Sequence, residues 1–192
     1  MKNEELFLKY NLGNHWNSHS AEYADCFLSL LPAKIPAEFF IVDAGCGNGK
    51  NTDFLNEAGF NVLGIDKDPR EVALASEVFP QSRFFIMDVE DLAFSNEYVD
   101  AFFLTNVIHY LDEEKALKEI RRTLKLKGFL YIHYNLLIKD AGGRIDYVDS
   151  EERIFNTISP LFNVVFAAWR RRVDQQPFPH KHTFLELMLQ KK

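Results

Sequence analysis

A chain of 192 residues, 47% apolar and 26% charged, has the size and balance of one globular domain with a single core. Its net charge of −6 argues against broad attraction to nucleic acid, and no apolar run approaches the roughly 18 residues of a membrane helix. Cys26 and Cys46 offer neither a disulfide framework nor metal-type pairing, and no long apolar region follows the acidic start Met1-Lys2-Asn3-Glu4-Glu5. A protein without membrane spans or secretory signal, resident in a reducing cytoplasm, is expected.

Residues 1–15 are polar and mixed. Tyr23, Cys26, Phe27, Leu30 and Leu31 recur at helical spacing from Ser20 and stop before Pro32, which predicts a helix. A first strand spans Phe39 to Asp43. A helix over Asn51 to Ala58 follows, with Gly59 as its stop. The second strand, Asn61 to Ile65, runs into Asp66, and Pro69 opens a helix to about Phe79. Arg83 to Met87 is a third strand ending at Asp88, and Val99 to Thr105 a fourth. Glu113 to Leu124 is an amphipathic helix, and Phe129 to Tyr134 a fifth strand. Alternation of this kind implies parallel strands with crossover helices.

The tail breaks the alternation. After a short helix near Glu151 to Ile158, two strand-like runs, Phe162 to Arg170 and Thr183 to Gln190, leave no room for a crossover and must pair as an antiparallel hairpin. There is no internal repeat and no second domain. The eighteen phenylalanines fall mostly in the strand-like runs and read as core.

The turn after the first strand carries the chemistry. Phe39-Phe40-Ile41-Val42 leads into Asp43, then Ala44, then glycines at 45, 47 and 49 before a helix. Glycine takes positive φ and has no Cβ, so a nucleotide-like ligand can lie on bare backbone there. A pyrophosphate would be repelled by Asp43, whereas a ligand cationic at that end would not. A nicotinamide-dependent oxidoreductase would place its glycines at one, three and six, but position 50 is Lys.

With Asp43-x-Gly45-x-Gly47-x-Gly49, the strand-ending acids Asp66 and Asp88, and the terminal hairpin, residues 20–192 resemble the class I, Rossmann-like, seven-stranded S-adenosylmethionine-dependent methyltransferases of the small-molecule type. The resemblance implies an α/β fold in three layers. Its mixed sheet would be mostly parallel and end in the antiparallel hairpin. One domain would span residues 1–192, with an N-terminal helical lid segment (1–35) and a core (38–192). The implied reaction moves a methyl group to an O, N or S atom of a small acceptor. A methyltransferase-like module that binds without catalysing is the alternative.

The resemblance also assigns roles. Ala44, Gly45, Gly47 and Gly49 would carry the methionine and ribose portions, and Asp43 the positive amino-acid end, unless it merely caps the next helix. Asp66, beside Lys67, would accept from the ribose diol, unless it caps the helix at Pro69. Asp88 and the amide of Val89 would meet adenine, unless Asp88 only closes its own turn. Asn106 would sit where the methionine moiety and substrate meet, and Val107 and Ile108 would pack against the cofactor unless they are plain core. Trp16, His19 and Tyr23 could form a lid, Tyr23 touching the cofactor.

Displacement at a sulfonium needs alignment above all, and a base only when the acceptor holds its proton tightly. His109 is the candidate base, unless it does structural work, as the resemblance equally allows. His133 reads as a core histidine, and Tyr134 and Asn135 as substrate contacts. His180 and His182 have metal-like spacing, but no carboxylate or cysteine is evident beside them, so no metal is expected. Arg170-Arg171-Arg172 reads as a solvated strand end rather than a nucleic-acid contact. The oligomeric state stays open.

Overall fold

The computed structural model describes residues 20–36, 38–175 and 178–192. Helix α1 (Ser20–Leu30) leads to β1 (Phe40–Ala44), α2 (Lys50–Glu57), β2 (Asn61–Asp66), α3 (Pro69–Val78), β3 (Arg83–Ile86) and β4 (Val99–Leu104). Then come α4 (Glu113–Thr123), β5 (Leu124–Asp140), β6 (Ile145–Val148), α5 (Glu151–Ile158), β7 (Phe162–Asp174) and β8 (His180–Lys191). The strand order is β3-β2-β1-β4-β5-β8-β7, with β6 paired to β5 off this path. Strands β1 to β5 pair in parallel, while β8 runs antiparallel to both β5 and β7. This is the mixed seven-strand path expected, with one short strand added.

Both faces of the central strands β1, β2 and β4 are buried, which is why those strands read as near-continuous apolar runs. Period-two alternation sorts their side chains. Val42, Phe102, Leu104, Leu130, Ile132, Leu185 and Leu187 meet α4 and α5 through Ala116, Leu117, Ile120, Ile154 and Ile158. Ile41, Phe103, Tyr131 and Met188 face the other way, onto Tyr23, Ala24 and Phe27 of α1. Helix α4 starts where Asp112 accepts the Lys115 N–H at 3.2 Å. Glu113 and Glu114 lie in its first turn and Arg121 and Arg122 in its last, each matching the helix dipole.

The fifth strand departs most from expectation. It is 17 residues long, not six. Its amino end joins β4 early (Val99 opposite Leu124), then shifts register before Ala101 meets Phe129. Its carboxyl end runs on because Leu136, Leu137 and Ile138 continue the apolar run, and Leu137 and Ile138 find partners in both β6 and β8. The last residue of β4 pairs with Ile132, so residues 133–140 rise roughly 26 Å beyond the parallel sheet at about 3.3 Å per residue. Strand β7 likewise extends past Arg170 to Asp174, and β8 begins at His180. The three strands build an overhang beside the carboxyl edge, with a register shift between Asn135 and Leu137 at its base.

Phe103 is fully buried and stacks on Tyr131 with centroids 5.4 Å apart and planes 4° from parallel. Phe103→Ala should cost about 3–5 kcal/mol in urea unfolding. A loss under about 1 kcal/mol would mean that this face of the core is not packed as described.

Candidate active site

Strand order reverses between β1 and β4, and in open α/β sheets the crevice at the carboxyl ends beside such a switch receives ligands. The turn from Gly45 to Gly49 lies there. It is stitched to the end of β2 by three bonds. Gly45 N–H and Cys46 N–H donate to the Ile65 carbonyl at 2.8 and 2.9 Å, and Gly47 N–H donates to Asp66 Oδ2 at 3.0 Å.

The glycines at 45, 47 and 49 all have positive φ, +73°, +51° and +82°, but they are glycine for different reasons. A Cβ on Gly45 would lie 2.4 Å from Val107 Cγ2, and one on Gly49 would lie 2.6 Å from the Phe84 ring. Those two are held by neighbouring side chains. At Gly47 the nearest atom would be Glu71 Oε2, at 4.0 Å, so bare backbone there faces open space.

Asp66 uses its second oxygen to accept the Asp68 N–H at 2.9 Å. It does not cap α3. That cap is Asp68, whose side chain accepts from Arg70 N–H at 2.9 Å. An ionised carboxylate has about four lone-pair sites, so two are left for a diol. Lys67 beside it is exposed. Asp88 accepts the Glu90 N–H at 2.9 Å, the turn-closing bond anticipated as its alternative, and Val89 is buried beside it. Asn106, just past β4, takes φ +61°, a strained conformation for a residue with a Cβ. Val107 then packs down on Gly45.

Asp43 lies beneath the turn rather than on its surface. It is 2% exposed, and Oδ2 accepts the Thr52 hydroxyl at 2.6 Å. Burial pushes its carboxyl up to about 7; the Thr52 hydroxyl opposes this and the nearby Asp66 charge adds to it. Asp43 is an internal brace between β1 and α2, and Thr52, which sequence reading did not single out, is its partner. Ala44 is buried next to it.

His109 lies within a short 3-10 turn (Ile108–Tyr110) and is half-buried. Its Nε2 accepts the Asn135 N–H at 3.2 Å. Burial around the ring pushes its pKa down to about 3, and a neutral ring is what an accepted N–H requires. Its bond to the base of the overhang is that of a positioning residue. Tyr134 donates to Glu113 at 2.9 Å, and Arg153 joins Glu113 to Asp149 with two 2.7 Å ion pairs. These groups line a cavity of about 560 Å³ that includes His109 and Tyr147.

Tyr23 is a core residue rather than a lid. It is 6% exposed, with its ring edge-on to His133 at 4.2 Å and its hydroxyl bonded to Arg172. Trp16 and His19, the other lid candidates, fall outside the described residues. Two of the three consecutive arginines are paired, contrary to the solvated-end reading. Arg170 bonds Glu186 at 2.7 Å and Arg172 bonds Asp174 at 2.9 Å. Residues 170, 172 and 174 share a face through period-two alternation. That spacing was the signal that could have found them. Asp174 also sits beside His180 and His182, supplying a carboxylate that had not been matched with them.

The comparisons with known proteins agree with this geometry. Residues 42–132 match the family model for a methyltransferase domain. An uncharacterized methyltransferase of Mycobacterium bovis is 30% identical over 106 residues, covering 55% of this chain and 42% of the relative. Malonyl-[acyl-carrier protein] O-methyltransferase of Pectobacterium atrosepticum is 29% identical over 104 residues, covering 54% and 40%. The chain thus spans less than half the length of these curated relatives. A TehB-like SAM-dependent methyltransferase of Corynebacterium glutamicum has the same fold at a TM-score of 0.67 and 24% identity, over 95% of this chain and 97% of that one. The fold is that of the class I S-adenosylmethionine-dependent methyltransferases. Residues 42–132 are the part of it that resembles a methyltransferase domain.

Two predictions follow from the turn and its brace. Gly47→Ala should lose only the left-handed backbone cost, about 1–2 kcal/mol, in denaturant unfolding. Gly45→Ala and Gly49→Ala should lose more, about 2–5 kcal/mol, because overpacking adds to that cost. Equal losses at all three positions would contradict the packing assigned to Val107 and Phe84. Asp43, with its folded pKa raised above an unfolded value of about 3.9, binds more proton folded than unfolded. Its contribution is present below pH 4 and declines as pH rises through about 7. Asp43→Asn should flatten that decline in unfolding measured from pH 5 to pH 8; an unchanged slope would show that Asp43 is ionised in the folded protein.

Proposed function

We propose that this chain moves the methyl group of S-adenosylmethionine to an O, N or S atom of a small-molecule acceptor. The observation that carries this reading is the open face at Gly47, flanked by Asp66, on a turn fixed to the tips of β1 and β2. Backbone at Gly45 and Gly47 would receive the methionine and ribose portions, and the two uncommitted lone-pair sites of Asp66 would accept from the ribose diol. Asp88 and the Val89 amide would meet adenine, and Asn106 the methionine end. Asp43 supports the site from below through Thr52.

S-adenosylmethionine brings a methyl already activated by its positive sulfur. The chain therefore has to align the acceptor with that methyl and keep water out, and alignment alone contributes several kcal/mol. His109, neutral and bonded to the Asn135 amide, holds the loop after β4 against β5. The cavity beside it, of about 560 Å³ and lined by Glu113, Tyr134, Tyr147, Asp149 and Arg153, suits an acceptor of small-molecule size.

Asp66→Ala should weaken S-adenosylhomocysteine binding by roughly one to two powers of ten in calorimetry, since a hydrogen bond to a charged group contributes about 1.5–3 kcal/mol. Asp66→Asn, which keeps one acceptor oxygen, should fall between. Unaltered affinity in both would remove Asp66 from the cofactor site. Tight cofactor binding with no transfer across an acceptor screen using labelled methyl donor would favour a binding module instead.

A further inference from the structure

We propose that Asp174, His180 and His182 form a binding site for a divalent transition-metal ion of the zinc type. The site lies in the overhang, where the ends of β7 and β8 pair with Asp174 opposite His180 and Arg172 opposite His182. Alternation along both strands puts the three donors on one face, and all three are buried, at 5%, 1% and 2% exposure.

The donor spacing fits one ion. Nε2 of His182 and of His180 lie 3.3 and 3.6 Å from Asp174 Oδ2, and all three donor atoms fall within 4.8 Å of one another. Ligands about 2.0–2.2 Å from a tetrahedral zinc stand roughly 3.3–3.6 Å apart. Two imidazoles and a carboxylate are a donor set for a borderline ion such as zinc, rather than for calcium or magnesium, which prefer oxygen.

The orientation of the rings points the same way. His180 holds Nδ1 2.6 Å from the Phe178 carbonyl, and His182 holds Nδ1 3.4 Å from Asn135 Oδ1. A proton on each Nδ1, given to these oxygens, leaves both Nε2 lone pairs directed at the carboxylate, which cannot donate when ionised. A metal-bound histidine has this arrangement, its far N–H tied to a carbonyl that fixes the tautomer. Arg172 Nε, 2.8 Å from Asp174 Oδ1, orients the carboxylate, as bonds to metal-ligating carboxylates commonly do.

The inference is independent of the methyl-transfer reading, because binding is measured without S-adenosylmethionine. Tag-free full-length protein, stripped with a chelator, is titrated with Zn²⁺ against a chromogenic competitor. Co²⁺ substitution is followed by visible absorption. One ion per chain is expected, with Co²⁺ bands of tetrahedral intensity. Affinity should fall at least tenfold in His182→Ala and in Asp174→Asn, each checked for native circular dichroism. Should His182→Ala fold poorly, Asp174→Asn, which preserves shape, decides the matter. No stoichiometric uptake by the wild type, or equal uptake by the folded variants, overturns the proposal.

Discussion

The hydrogen bond from Gly47 N–H to Asp66 joins the ends of two parallel strands through the glycine turn, and much else is arranged around it. Strands β1 and β2 are in register from Phe40 opposite Asn61 to Ala44 opposite Ile65. The ladder therefore delivers Asp66 beside Gly47, while Ile65 receives the two preceding amides. The turn is thereby fixed by main chain and one carboxylate. Val107 and Phe84 press on Gly45 and Gly49 from two sides, and only Gly47 is left turned outward. An exposed amide backbone held this firmly is preorganised for a ligand, because its ordering cost is met during folding.

The carboxylates around the edge divide by burial. Asp43, hidden and bonded to Thr52, is pushed toward neutrality and serves the scaffold. Asp66 and Asp88 are half-buried and accept from backbone amides of the loops that follow the strands. On the far side of β5 a second polar layer appears. Burial pushes Glu186 up, but His133, Tyr131 and Arg170 more than offset it and hold the carboxyl down at about 2. Asp174, His180, His182 and Arg172 continue this layer into the overhang. A sheet face that is apolar under α1 thus turns polar where it passes the carboxyl edge.

The parallel half of this architecture was legible in the chain because its signals are local. Apolar runs, strand-ending acids at 43, 66 and 88, and the glycine spacing each depend on residues close in sequence. Boundaries there moved by no more than one position, except in β5, which begins five residues early. The overhang was less legible, since Leu136 to Asp140 become strand only by finding β6 and β8, partners set by tertiary pairing. The same applies to single residues. Thr52 shows no sign of being Asp43's donor until α2 is folded onto β1. Asp174 meets His180 and His182 only once the hairpin sets its register. Tyr23, on an aromatic-rich helix, reads equally well as lid or core until Arg172 and His133 are seen around it.

The most direct measurement is a backbone amide NMR titration of the protein with S-adenosylhomocysteine. The account predicts saturable shifts concentrated at Gly45, Cys46, Gly47, Asp66 and Val89, with residues at the amino ends of the strands unmoved. Absence of saturable shifts, or shifts confined to residues away from this carboxyl edge, would contradict it.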